Sequence, residues 1–395
     1  MNPWQAYADI FREENKPFAF VDLDAFERNF ADLRARCGGK KIRVATKSLR
    51  CVELMRRLAA NDQVCGWMCF SADEAVHLAA QGFDHLLVAY PTLQAAAVRA
   101  VCAAVRDGKN ITLMCDSIAH LQALNAIAAA EHTVLPIALD VDVSMRLPGI
   151  YFGVYRSSLH DMAALENIIT ALPDYPQLKL DGIMTYEAQI AGVIDRNPYR
   201  NPLYNAAIAL LKKRSIARIS ARRQEIAALL QRHRIELAFF NGGGTGSLET
   251  TVQDAAVSEV TFGSGLYASG LFDHYHNFRH RPAAGFVLEV VRQPQAQVYT
   301  ALGGGYIASG APGQEKLPQM VYPADARLIK DEGAGEVQTP FRCNSALDWP
   351  QDNFVVMRHA KAGELCERFN ELLLLQNGAI TARVPTYRGM GWCFL

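Results

Sequence analysis

The sequence predicts an α/β chain: a (β/α)8 (TIM) barrel over residues 17–275, followed by a smaller β-rich domain over 276–395. Three observations predict it. Short apolar runs alternate with longer stretches of helical period from residue 17 to about 275, the signature of parallel βα units. The runs that would form the barrel wall fall at 42–46, 65–70, 85–89, 110–115, 135–141, 179–185, 236–240 and 258–262, which makes eight. Glycine clusters follow the last two of them, whereas a doubly wound open sheet would carry its glycine fingerprint after its first strand.

Taken in order, the run 18–22 leads into a segment whose apolar positions recur at three and four, with Asp24 as its expected cap. Helices are expected at 72–81 behind the cap Ser71, at 92–107 behind Pro91, and as one long helix within 203–232. Cys65 and Cys69 lie in an apolar strand-like run and read as buried core thiols. From 276 the texture changes to runs rich in Val, Tyr and Thr, at 285–291 and 296–300, separated by Gly/Pro turns at 303–305 and 310–313. A helix over 361–374 is the expected exception in that domain.

Lys+Arg and Asp+Glu both number 40. That balance argues against a nucleic-acid or membrane-surface partner. The first residues show neither a basic n-region nor an apolar h-region, and no apolar stretch reaches the roughly 18 residues that span a bilayer. Nine scattered cysteines do not form a disulfide framework. A cytoplasmic, reduced protein is expected.

Two elements far apart in sequence carry chemistry. Lys47 ends the run Lys41-Ile42-Arg43-Val44-Ala45-Thr46-Lys47, and Asn241-Gly242-Gly243-Gly244-Thr245-Gly246-Ser247 follows the seventh run. A second glycine turn, Gly263-Ser264-Gly265, follows the eighth. Barrel sites lie at the carboxyl ends of the strands, with phosphate commonly in the loops after the last two. Lysine forms a Schiff base with an aldehyde, and a glycine nest presents N–H groups to a phosphate. Pyridoxal phosphate has both ends and is the expected cofactor.

The segments 20–29, 43–48, 140–149 and 181–187, together with the two glycine turns, resemble the alanine-racemase-type (fold type III) pyridoxal-phosphate enzymes. Within them the chain is most similar to the D-threonine aldolase/D-serine dehydratase (amino acid deaminase/aldolase) group. The resemblance spans nearly the whole chain. It implies that residues 1–16 pack with the β-rich domain and that a homodimer shares its active sites. It implies Lys47 as the cofactor lysine, with Gly243, Gly244, Thr245, Gly246, Gly263 and Ser264 around the phosphate and Tyr267 as an extra donor. Arg146 would lie near the cofactor's phenolic oxygen, and Tyr186 would line the pocket. The residue facing the pyridine nitrogen falls on Thr261, which carries no charge. The group's metal pair, His-x-Asp or His-x-Cys, falls on His359 and Lys361. An ammonium repels a cation, so no divalent metal is expected; Lys361 would supply the positive charge instead, with Cys366 a remote alternative ligand. Alternatively, Arg358, Lys361, Glu364 and Glu367 form a solvated helix face. Tyr306, in a Gly-Tyr-x-x-Gly-like stretch, matches the second proton-transfer base of the racemases, and Arg388 is a candidate for substrate carboxylate. The implied activity is a lyase reaction on a β-hydroxy D-amino acid. Racemisation by Lys47 and Tyr306 is the alternative, and a non-catalytic cofactor carrier a third reading.

Overall fold

The first strand, β1 (Phe18–Asp22), opens a sheet and takes no part in the barrel wall. A computed structural model describes residues 3–311, 313–345, 347–361 and 363–394. They form two units. One comprises the chain up to Leu33, Lys47–Leu58 and Ser264–Cys393; the other comprises Arg34–Thr46, Ala59–Gly263 and the end of the chain from Phe394.

The second of these units is the barrel. Its wall runs through β2 (Lys41–Ala45), β3 (Val64–Cys69), β4 (Leu86–Val88), β5 (Ile111–Cys115) and β6 (Leu135–Asp140). The hairpin β7 (Met145–Leu147) and β8 (Ile150–Phe152) stands apart from the wall, which continues as β9 (Leu178–Thr185), β10 (Phe239–Gly242) and β11 (Glu259–Phe262). The wall closes in the order β10-β11-β2-β3-β4-β5-β6-β9. All eight expected strands are present, and every pairing is parallel. The seventh begins at Phe239 rather than 236 and runs on to Gly242. Strands such as Ile111–Cys115 are buried throughout, because a parallel sheet under helices has no wet face.

Leu87, Ala89, Met114, Ala138, Met184 and Phe239 form one apolar cluster of this unit. A buried ion pair lies beside them in the wall: Arg43 Nε donates to Glu259 Oε1 at 2.6 Å, and the guanidinium covers the Phe239 ring. Burial alone would raise the Glu259 carboxyl, but the charge and hydrogen bonds of Arg43 turn the shift downward. The helices start where side chains can take the first unpaired N–H groups: Ser71, Ser117, Asp161 and Asn201 each accept from the residue three further on. Helix Ala95–Arg106 starts three residues later than expected.

The other unit is built on a nine-stranded sheet. β1 lies between β12 (Ala284–Gln295), antiparallel to it, and β18 (Glu371–Gln376), parallel to it. The sheet also contains β13 (Val298–Leu302), β14 (Gln319–Tyr322), β15 (Arg327–Leu328), β16 (Gln338–Arg342), β17 (Phe354–Arg358) and β19 (Ala379–Pro385). Trp4, Tyr7, Phe11, Phe18, Phe20, Phe354 and Leu373 are among the residues of its core, so the N-terminal segment packs on this sheet.

Two expectations are corrected here. The cap of the helix Leu23–Arg36 is Asp22, whose Oδ1 accepts from Ala25 N at 3.0 Å, while Asp24 accepts from Asn377 N. The segment 361–374 is not a helix. It holds a 3-10 turn, Glu364–Glu367, and then β18, whose four leucines are fully buried between β1 and β19. Periodicity could not separate a buried strand from a buried helix here. The Asn377-Gly378 pair that closes the β18–β19 hairpin, both residues at positive φ, was the available signal.

Among the described residues all nine cysteines are free, and no helix is long and apolar enough to cross a membrane.

Candidate active site

Parallel pairing puts the carboxyl ends of β9, β10, β11 and β2 side by side at one end of the barrel, with Gly242 opposite Val260 and Phe262 opposite Val44. The turn after β10 needs its glycines. Gly243 has φ +93°, and a Cβ on Gly244 would stand 2.6 Å from Ala191 Cβ and 3.3 Å from the Tyr186 ring. Gly243 N–H donates to Glu187 Oε2 at 3.0 Å, and Gly244 N–H donates to Ser247 Oγ at 3.1 Å. These two glycines therefore shape the turn while their N–H groups serve the protein. The N–H groups of Gly246 in this turn and of buried Gly263 after β11 make no hydrogen bond to any described residue. Thr245, between Gly244 and Gly246 in the chain, is buried.

Glu187, which follows β9, is 1% exposed. Besides Gly243, its carboxylate accepts from Ser247 Oγ at 3.0 Å, from Thr251 Oγ1, and from Arg223 Nη2 at 2.7 Å. Arg223 comes from the long helix Pro202–Arg232, is itself 2% exposed, and also donates to Asp254 and to Thr185.

Tyr186 is half-buried at the edge of the apolar cluster that includes Met184 and Phe239, and desolvation, opposed by the charge of Arg156, pushes its phenol up to about 12. Asp140 ends β6; desolvation and then the charge of Asp116 push its carboxyl up to about 7, again against Arg156. Thr261 Oγ1 accepts from Asn241 Nδ2 at 2.8 Å. Arg146, on the β7–β8 hairpin, is about half exposed, 3.7 Å from Asp142 and over the Tyr151 ring.

In the sheet unit, exposed Lys47 lies in the short turn Thr46–Ser48 that continues β2, two positions beyond Ala45. Ser48 Oγ and Ser264 Oγ are 3.2 Å apart, which holds the segment after β2 against the segment after β11. A Cβ on Gly363 would stand 2.2 Å from the Lys47 carbonyl oxygen, so the loop carrying Lys361 can approach Lys47 only because residue 363 is glycine. Tyr267 is fully buried and its O–H donates to Leu49 O at 3.0 Å. His359 is buried with neither ring nitrogen hydrogen-bonded among the described residues. Desolvation, helped by Arg358, lowers its pKa to about 3. Lys361 Nζ donates to Ser309 Oγ at 3.0 Å. The Tyr306 ring packs against Phe286, Phe369 and the Arg368 guanidinium, and Arg388 is exposed. The reading of Arg358, Lys361, Glu364 and Glu367 as a solvated helix face fails. Arg358 ends β17, is 4% exposed, and holds Asp273 with two bonds.

Residues 21–269 match the family described as alanine racemase, N-terminal domain. The chain belongs to this family. Its members are fold type III pyridoxal-phosphate enzymes. Three solved structures with this fold are D-threonine aldolase from Filomicrobium marinum (TM-score 0.77, 16% identity, 96% of each chain covered), D-threo-3-hydroxyaspartate dehydratase from Delftia sp. HT23 (0.74, 17%, 95% of this chain and 98% of that one), and alanine racemase from Clostridium difficile 630 in complex with cycloserine (0.65, 14%, 94% and 98%). No curated protein matches the sequence.

The residues at the barrel end fit the family's cofactor. In the barrel unit, a turn with Gly243 at positive φ and the buried Gly263, whose N–H has no partner among the described residues, offer what a phosphate requires. Lys47, in the other unit, carries the amine that an aldehyde requires. A divalent metal is another matter. A mutant D-threo-3-hydroxyaspartate dehydratase with this fold is described in a metal-free form. Here no group of three or more His, Cys, Asp or Glu side chains able to hold a metal ion occurs among the described residues. His359 is followed at the second position by an ammonium, and Cys366 turns its thiol to Leu49 O. That donor set does not fit a cation.

Sequence reading passed over Glu187, Arg223 and Arg156. Glu187 stood in a motif but had no assigned partner; Arg223 lies in a helix rich in exposed arginines, and nothing local marks it as the buried one.

Proposed function

We propose that this chain is a pyridoxal-phosphate lyase acting on a β-hydroxy D-amino acid, by dehydration and deamination or by retro-aldol cleavage. One observation carries the reading: β10, β11 and β2 are consecutive in the barrel, and two glycine turns and a lysine follow their carboxyl ends. The names of the aldolase and dehydratase that share the fold support the choice of substrate class.

Under this reading Lys47 holds the cofactor covalently, and the N–H groups of Thr245, Gly246, Gly263 and Ser264 hold its phosphate, with Gly243 and Gly244 shaping the turn. When bound, the cofactor supplies an electron sink for a carbanion at the substrate's Cα. The Lys47 amine, when free, would take the proton from Cα during elimination. Thr261 would stand at the ring nitrogen as a neutral partner, one that would stabilise less charge on the ring than an arginine would. Lys361 would supply positive charge to the substrate's β-hydroxyl or carboxylate in place of a metal, for which the described residues hold no ligand cluster. Arg146 would serve the cofactor's phenolic oxygen, Tyr186 would line the pocket, and Arg388 would take the substrate's carboxylate. The working unit is a homodimer that shares its sites.

The purified protein is expected to be yellow, and K47A to be colourless with turnover lowered by about 10³-fold or more. Incubation with D-serine, D-threonine and both alanine enantiomers, reading keto acid, aldehyde and optical rotation separately, is expected to give keto acid or aldehyde from the D-hydroxy substrates, unchanged by chelator. Loss of optical rotation without either product would instead establish racemisation, and a colourless wild type that stays so with added pyridoxal phosphate would overturn the proposal.

A further inference from the structure

We propose that Glu187 is the positioning residue that holds the turn after β10 in the conformation able to take a phosphate, and so sets the chain's preference for a phosphorylated cofactor. This rests on the pyridoxal-phosphate reading above. Free glycine-rich chain samples many conformations, and a nest binds an anion only if its N–H groups already converge. Something must therefore hold residues 243–247 in place.

The Glu187 carboxylate does so from four directions. It accepts Gly243 N–H from the start of the turn, Ser247 O–H from its end, Thr251 O–H from the short helix that follows, and Arg223 from the long helix. Ser247 passes the constraint on, since its Oγ also accepts Gly244 N–H. The charge is kept in place by Arg223, which Asp254 and Thr185 orient in turn; Gly242 has no side chain because Arg223 Nη2 lies 2.5 Å from where its Cβ would be.

Electrostatics and positioning make opposite predictions for this residue. A buried carboxylate beside a phosphate repels it, so if charge were all, removing Glu187's charge would tighten phosphate binding. If positioning dominates, E187Q loosens it. Glutamine keeps the shape, but its amide N–H₂ faces donors where the carboxylate faced them with an acceptor.

The experiment titrates the full-length chain, freed of cofactor, with pyridoxal phosphate and with pyridoxal, which has the aldehyde but no phosphate. Wild type is expected to prefer pyridoxal phosphate strongly. E187Q is expected to lose tenfold or more in affinity for pyridoxal phosphate while its affinity for pyridoxal changes less than threefold. A merely destabilised protein would lose both alike. An unchanged or higher preference in E187Q overturns the inference while leaving the cofactor assignment intact; a wild type that binds neither compound overturns the cofactor assignment itself. If E187Q does not fold, S247A decides: its preference is expected to fall about threefold, and an unchanged preference overturns the inference.

Discussion

Arg223 in the barrel and Arg358 in the sheet unit are both buried guanidiniums, and the two regions treat them differently. Around Arg223 the partners are Glu187, 1% exposed, and Asp254, 9% exposed, with Thr185 completing the set. Around Arg358 the partners are the carbonyl oxygens of Ala268 and Ser269 and a carboxylate, Asp273, whose side chain is 44% exposed. The first arrangement binds three chain segments, 185–187, the helix carrying Arg223 and the stretch at Asp254, through ionised groups that water barely reaches. The second fastens one backbone turn, in which Ala268 adopts φ +51°, and leaves its counter-charge half in solvent. Buried charge is tolerated in both because every donor has an acceptor, but only the barrel set stakes its stability on mutual neutralisation.

The comparison breaks most clearly if each arginine is replaced by methionine. R223M leaves Glu187 and Asp254 without their cation and is expected to cost about 3–5 kcal/mol in denaturant unfolding. R358M leaves carbonyls unpaired but lets Asp273 turn to water, and about 2–3 kcal/mol is expected. Equal losses would mean that solvent reaches both sites alike.

A smaller effect probes the backbone that the barrel set supports. G244A forces a methyl to within 2.6 Å of Ala191 Cβ, so about 1–3 kcal/mol of destabilisation is expected, whereas G82A, at positive φ but in open space, should show backbone strain alone.

An effect seen only as pH changes concerns a carboxyl in the same unit without such partners. Asp140 has its folded-state pKa raised to about 7, by desolvation first and Asp116 second, above the ordinary carboxylate value of 3.8. The folded state therefore holds a proton that the unfolded state has released. The stability associated with that proton is present in full below about pH 4 and disappears as pH rises through about 7. D140N is expected to flatten the decline of stability between those limits in a series of denaturant titrations. An unchanged slope would place the loss on other groups.

How much of this was legible in the sequence depends on the range of the interaction. The barrel wall was legible because each strand is a local apolar run bounded by turn residues, and Ser71 caps its helix through a contact three residues away. The Asp22–Asp24 choice failed at the same range, because both carboxylates stand near the helix start and a partner 353 residues away, Asn377, draws Asp24 off. The four leucines of β18 read equally well as part of a helix over 361–374, since only β1 and β19 on either side make that run extended.

Residue type and spacing were enough to locate Lys47, the two glycine turns and the eight-strand wall, since backbone conformation and apolar period are written in neighbouring positions. Which of many arginines is buried, which carboxylate receives it, and that β1 joins a sheet rather than the barrel were settled only by folding. Those outcomes depend on desolvation and pairing between segments tens to hundreds of residues apart, and no local pattern encodes the partner.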